Sequence, residues 1–377
     1  MTVYYDVSAA VHARAGLGRY AESLARALLA EHGESFTLFY NTDSTIQPLS
    51  GLDDVPVRTV NAGYKRWRMQ VWLGQLLGVR FDRLLPDAEL YHATEHLLMP
   101  LHGIPAVLTV HDLIYRFFPR YHKPRNYIYL NLAMPLFCRR ADAIIAVSEC
   151  TKNDLAKHYH VDPAKITVVY EAAAPRFTPQ AEETVAAVRA RYRLPERYLL
   201  TVCVIEPRKN HAGFLRAFER LYQEDPDLYW VIGGSQGWLY ERFFAQLERS
   251  PARDHVILAG YIEDQDLPAV YGGALAFVFP SLYEGFGLPP LEAMACGAPV
   301  VSSNASSLPQ VCGDAARYFC PHDEEQMLDA LRAVLADPGL RLDMRRKGLA
   351  QAQKFSWQRA AEETWALYQK LMRLRQA

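Results

Sequence analysis

The pattern of the chain predicts an α/β protein made of two Rossmann-like halves, each a parallel sheet covered on both faces. Three observations lead there. Short β-branched and aromatic runs alternate with longer segments of helical period, as strand–helix–strand units do. Some of those runs, "AIIAV" and "AFVFP" among them, are apolar without alternation, which suits strands buried on both sides. A chain of 377 residues, 50% hydrophobic, exceeds one core and suits roughly two to three domains.

In order, the first half offers strands in "TVYYDVS", "FTLFYN", "VPVRTV", "AELYHAT", "AVLTVHD" and "AIIAVS", with a helix from Leu17 to Ala30 after the first. The run from Tyr170 to Glu183 holds two prolines and no clean period, so it reads as a linker. It divides the chain into residues 1–180 and 181–355. The second half offers "RYLLTVCVI", "LYWVIGG", "HVILAGYI", "LAFVFPS" and "APVVSSN", with helices at His211 to Tyr222 and Glu324 to Ala336. Residues 356–377 form one amphipathic helix, with Ser356 as N-cap and a packing stripe of Trp357, Ala361, Trp365, Tyr368 and Met372. The helix is expected to pack back toward the first half.

Composition excludes several classes. A net charge of −1 does not suit a bulk nucleic-acid binder. The six cysteines form no C-x-x-C pair and read as free thiols in a reducing compartment. The start "MTVYYDVSAA" lacks a basic-then-apolar leader, and no apolar run reaches about 18 residues. A cytoplasmic location is expected.

The chemistry concentrates in "SLYEGFGLPPLEAMACGAPVV", Ser281 to Val301. "LAFVFPS" should be a buried strand, and ligands of parallel sheets bind beyond strand carboxyl ends. Gly285 and Gly287 let a ligand approach the backbone, and the N–H groups around them and at Leu288 are candidate donors. Pro289 and Pro290 suit a helix start, whose positive end attracts an anion. Glu284 and Glu292, the latter expected in the first turn, would repel phosphate but accept short bonds from hydroxyls. Phosphate in the middle with hydroxyls at both ends describes a nucleoside diphosphate sugar. In "TVCVIEPRKN", Arg208 and Lys209 fall at the carboxyl end of another strand, where a guanidinium and an ammonium can neutralise a diphosphate.

The block Glu284-Gly-Phe-Gly-Leu-Pro-Pro-Leu-Glu292 resembles the E-x7-E signature of family 4 retaining glycosyltransferases of GT-B fold. "EPRKN", "AGLGRY", "VHD" and "IIAVSECTKNDL" resemble that family too, so the likeness spans the chain. The resemblance implies two Rossmann-like domains with the active site in the cleft between them, the acceptor on the first domain and the nucleotide sugar on the second. It implies that Arg208 and Lys209 hold the diphosphate and Glu292 the ribose hydroxyls. Glu284 and the backbone of Gly285, Phe286, Gly287 and Leu288 would hold donor sugar and phosphate. Gly16 and Gly18 would approach the diphosphate, His111 the reacting centre, and Tyr261 the base. No metal or other cofactor is implied. "HDLIYRFFPRYH" with the long block from Ser281 resembles bacterial mannosyltransferases that use GDP-mannose to build cell-surface polysaccharide on a glycan or lipid-linked acceptor; UDP-sugar donors and an epimerase of the same fold are the alternatives. Where many members have Asn-Gly, this chain has "VVYEAAAPRF", which leaves Glu171 without a role.

Weaker signals have plainer readings. Gly16, Gly18 and Ala21, with Asp43 after the next strand, spell a dinucleotide-binding pattern. A dehydrogenase, however, would leave Arg208, Lys209, Glu284 and Glu292 unused. Asp264 and Asp266 form a D-x-D that reads as a helix cap rather than a metal site. Two stretches, Tyr64 to Phe81 and Tyr115 to Tyr129, are basic and aromatic and suit an anionic membrane surface.

Overall fold

The computed structural model describes residues 1–47 and 49–376. Contacts divide the chain into two compact units: Met1–Glu171 with the segment from Ser356 onward, and Ala172–Phe355. The break therefore falls nine residues before the position read from the two prolines (180 − 171). Residues 356–376 are part of the first unit, not a separate domain.

The first unit holds β1 (Val3–Asp6), β2 (Phe36–Thr42), β3 (Val57–Asn61), β4 (Leu90–Ala93), β5 (Ala106–Val110), β6 (Ala143–Ala146) and β7 (Ile166–Val168). All pair parallel in the order β3-β2-β1-β4-β5-β6-β7. The second holds β8 (Tyr198–Val202), β9 (Tyr229–Gly233), β10 (Val256–Gly260), β11 (Ala276–Phe279), β12 (Val300–Ser303) and β13 (Ala316–Phe319). They too pair parallel, in the order β10-β9-β8-β11-β12-β13. Each order reverses direction once, at β1/β4 and at β8/β11. Loops that follow the two strands of such a pair diverge and leave a crevice at the carboxyl edge, where ligands of open α/β sheets bind.

Burial follows the sequence pattern. Every residue of β1, β4, β5, β6, β11 and β12 is buried, which suits their mostly apolar side chains on both faces. The first core gathers Trp67, Tyr91 and Phe137; the second gathers Phe214, Trp230 and Leu331. All six cysteines are free thiols, and Cys138, Cys203, Cys296 and Cys312 are buried.

The C-terminal helix, Trp357–Gln376, packs on the helix Ala15–His32 of the first unit. Ser356 caps it, accepting the N–H of Arg359 at 3.1 Å. Trp357 meets Tyr20 edge-on at 5.9 Å, and Trp365 stacks on His32 at 4.0 Å. Tyr368, fully buried, bonds through its hydroxyl to His92 Nδ1 at 2.5 Å. His92 Nε2 pairs with Thr109 Oγ1 at 2.8 Å. Burial, with the nearby His111, pushes the titration of His92 down to about 3, so this imidazole is neutral and links β4, β5 and the last helix.

Candidate functional site

At the β8/β11 crevice, β8 runs into a single 3₁₀ turn, Pro207–Lys209, and β11 into the loop of Glu284. Neighbouring strands bring these loops together although their residues lie 75 apart in sequence. Arg208 Nη1 reaches Glu284 Oε2 at 2.6 Å, and Lys209 Nζ reaches Glu284 Oε1 at 2.7 Å. Arg208 also pairs with Glu206 at 2.6 Å and donates to the Tyr283 carbonyl at 3.0 Å. Ser281 Oγ donates to Glu284 Oε1 at 2.5 Å, and the ammonium of Lys209 stands 4.9 Å from the Phe279 ring centre. Burial alone would raise the Glu284 carboxyl. Arg208, Lys209 and the bonds from Lys209 and Ser281 outweigh it and hold the group at about 2. The cluster of two cations and two carboxylates is formally balanced.

The helix after this loop, Leu288–Ala295, begins behind Gly287, whose φ of +123° suits glycine. A Cβ there would also meet Leu308 Cδ2 at 2.9 Å. No side chain caps the helix. Pro289 and Pro290 carry no N–H, so Leu288 supplies the leading donor of the helix's own first turn. Ser307 Oγ anchors the loop by donating to the carbonyls of Glu284 and Phe286. The Phe286 ring packs edge-on against Phe355 at 5.7 Å, so this residue faces the unit's interior with its side chain.

Glu292 departs from its expected place. The helix starts at Leu288, so Glu292 lies just past the first turn and no acid occupies that turn. Its carboxylate is buried and accepts the Tyr271 hydroxyl at 3.0 Å. Tyr261 follows β10 and is 64% exposed. Asp266 sits at a helix start, yet its side chain makes no cap bond. It accepts instead from Arg191 at 2.7 Å and from Tyr192, while Asp264 pairs with Arg176. The expected cap is thus replaced by ion pairs, because arginines from other elements reach both carboxylates.

In the first unit, Gly16 and Gly18 lie inside the first turn of the helix Ala15–His32. Gly18 is required by close packing, since a Cβ would stand 2.9 Å from the Ala9 carbonyl oxygen. Gly16 faces open space. A short helix, Ser8–Val11, separates β1 from these glycines, so the tight strand–helix turn of a dinucleotide site is missing here. Asp43 is engaged by Thr45.

His111, just past β5, is buried and held on every side. Nε2 lies 2.9 Å from the Thr94 carbonyl oxygen and Nδ1 lies 3.2 Å from Glu171 Oε1. A carbonyl and a carboxylate only accept, so the pair of partners favours the doubly protonated ring. Burial opposes that charge; Glu171 and the Thr94 carbonyl overcome it, and the titration is raised above its usual value. The His111 carbonyl accepts from Thr151 Oγ1 at 3.0 Å. Glu171 therefore faces the interior of the first unit as the partner of His111.

Sequence reasoning left Glu206, Ser281, Glu171 and Glu95 without roles. Glu206 and Glu95 each lie just past a strand flanking a sheet's reversal point, and that position is the signal that could have found them.

The sheets, the glycine-phenylalanine-glycine turn before an uncapped helix and the paired cations beside it define a glycosyltransferase of GT-B type. Family models agree: "Glycosyltransferase Family 4" matches residues 14–175 and "Glycosyl transferases group 1" matches residues 188–351. The chain is 31% identical over 373 residues to the O-antigen chain mannosyltransferase B of Escherichia coli, covering 94% of this chain and 96% of that protein. It is 26% identical to the O-antigen chain mannosyltransferase RfbU of Salmonella typhimurium, over 70% of this chain and 68% of that one. The fold matches Anabaena HepE, solved with UDP and glucose, at a TM-score of 0.75 and 15% identity, over 98% and 99% of the two chains. The chain belongs to the family 4 glycosyltransferases and is a hexosyl-transferring enzyme.

Proposed function

We propose that the chain transfers mannose from GDP-mannose, with retention of configuration, to a glycan or lipid-linked acceptor in cell-surface polysaccharide assembly. The observation that carries this reading is the pairing of Arg208 and Lys209 with Glu284 at the β8/β11 crevice, in front of an uncapped helix. An entering diphosphate competes with Glu284 for both cations, and its extra charge is offset by the helix end and the N–H of Leu288. Glu284, displaced in part, turns to the hydroxyls of the donor sugar. As the sugar–oxygen bond breaks, negative charge grows on the leaving diphosphate. The fixed guanidinium and ammonium stabilise it without rearranging. The reading invokes neither metal nor cofactor.

On the same reading the backbone of Gly285 to Leu288 contacts phosphate and sugar, and Glu292, braced by Tyr271, takes the ribose hydroxyls. Tyr261 offers an exposed ring for the base. His111, with both ring nitrogens bonded within the first unit, acts as a held positive charge and not as a proton shuttle. The names of the Escherichia and Salmonella relatives support mannose. UDP-sugars are the second reading, favoured by the UDP bound in the Anabaena protein.

Among the described residues no helix is long and apolar enough to cross a membrane. The helices Tyr64–Leu77 and Pro124–Arg140 expose Met69, Leu73, Leu76, Leu77, Ile128 and Leu132. With the basic residues of both stretches, they support contact with an anionic inner membrane face, where a lipid-linked acceptor would be met.

The test is acceptor-free incubation with GDP-mannose, UDP-glucose and UDP-galactose, measuring released nucleoside diphosphate. Release of GDP alone is expected. Release of UDP instead would overturn the GDP-mannose reading, a converted sugar nucleotide would favour an epimerase, and no release together with no nucleotide binding would overturn transfer.

A further inference from the structure

A second polar cluster lies in the first unit, at the carboxyl edge of its sheet near the β1/β4 reversal. Glu95 stands two residues past β4 and is 2% exposed. Its Oε2 accepts from Arg14, which immediately precedes the helix Ala15–His32, and lies 3.5 Å from the Tyr64 hydroxyl. Arg14 also donates to Tyr64 and lies over its ring, 4.6 Å from the centre. Arg68, one turn further along the same helix as Tyr64, covers the Tyr129 ring at 4.1 Å and bonds Asn126 at 3.2 Å. Trp72 completes the row, edge-on to Tyr129 at 5.9 Å.

Two polar atoms of this cluster have no partner although both are buried: Glu95 Oε1, an acceptor, and Trp72 Nε1, a donor. Leaving a buried carboxylate oxygen unpaired is costly. A carboxylate with one oxygen to spare, guanidinium groups and aromatic faces together match a hexose. Hydroxyls bond to the carboxylate and guanidinium, and the C–H face of the ring lies on aromatic carbon.

We propose that Glu95, Arg14, Tyr64 and Trp72 form a hexose-binding subsite on the first unit that takes the acceptor sugar, Glu95 Oε1 accepting one of its hydroxyls. The inference deepens the transferase reading and rests on it. Glu95 acts by positioning the acceptor, and no proton transfer is assigned to it.

The test is saturation-transfer NMR on the full chain with millimolar methyl α-mannoside, methyl α-glucoside, methyl α-galactoside and methyl N-acetyl-β-glucosaminide, alongside acceptor-free donor hydrolysis. The wild-type protein is expected to saturate at least one glycoside. Glu95→Gln should weaken that binding about tenfold or more, the scale of one lost bond to a charged group. Tyr64→Phe should weaken it less, and it serves as the deciding variant where Glu95→Gln does not fold. Saturation of no glycoside by the wild-type protein, or equal saturation in the folded variants, overturns the subsite. Glycoside binding as expected with no donor hydrolysed by the wild-type protein upholds the sugar site and sinks the transferase reading instead.

Discussion

Glu284 and His111 are both buried and both charged, and their linkage to pH runs in opposite directions. Glu284 is held at about 2 against a usual 4.5. Its contribution to stability is fully present above 4.5 and is lost as pH falls toward 2. His111 is raised above its usual 6.5, so its contribution is present below 6.5 and is lost as pH rises through the raised value. Denaturant titrations across pH should therefore show Glu284→Gln flattening only the acid limb and His111→Gln only the limb above neutrality. At pH 7 Glu284→Gln should cost about 3–5 kcal/mol, since it takes the carboxylate from the buried Lys209 ammonium and leaves Arg208 with Glu206 alone. A variant as stable as wild type would show that the cluster is not coupled to folding. These roles were half legible in the sequence. Glu284, Arg208 and Lys209 stood out because each follows an apolar strand. The pairing itself did not, because it depends on β8 and β11 being neighbours. Glu171 was silent for the same reason: its partner is set by the β5–β6–β7 order, not by nearby residues.

Elements read well from sequence where they are buried on both faces, and of the four edge strands β3 and β10 were read while β7 and β13 were not. The apolar runs of β6 and β11 were plain. The edge strands β7 and β13 have three and four residues, with mixed exposure. They fell below the strand pattern, because so short a run with mixed exposure carries neither a continuous apolar stretch nor a clean alternation. The helix Glu324–Ala336 was placed to the residue by its period, and the structure adds its cap, Asp323, which accepts the N–H of Gln326. The last helix was legible from its aromatic stripe. Its anchor was not, since His92 lies 276 residues away. Tyr368→Phe should remove that bond, leave His92 Nδ1 buried without a partner, and lower stability by about 1–3 kcal/mol. Equilibrium denaturation compared with wild type checks this, and an unchanged midpoint would assign the helix's hold to its rings alone.

At the scale of the molecule, the same six-strand order occurs in both units, with β7 added to the first. The alternation of strands and helices made both sheets legible, whereas the allocation of the final helix depended on packing that no local pattern records. Residues 172–355 are continuous and carry their own core, so that segment expressed alone should fold. Residues 1–171 alone should not reach the native state, because Tyr20, His32 and His92 would lose Trp357, Trp365 and Tyr368. Dispersed amide proton NMR from the first fragment and collapsed spectra from the second are the expected results. A well-dispersed spectrum from 1–171 would contradict the dependence.

The first unit's dependence on the helix at 357–376 also sets a schedule for synthesis on the ribosome. Its seven strands emerge early, yet they must wait through the translation of 184 further residues (355 − 171) for the piece that closes them. At about 5–20 residues per second that is a delay of roughly ten to forty seconds. Throughout it, the surface around Tyr20 and His92 stays open to chaperones, and premature termination anywhere in that interval would leave a nascent chain that quality control can recognise.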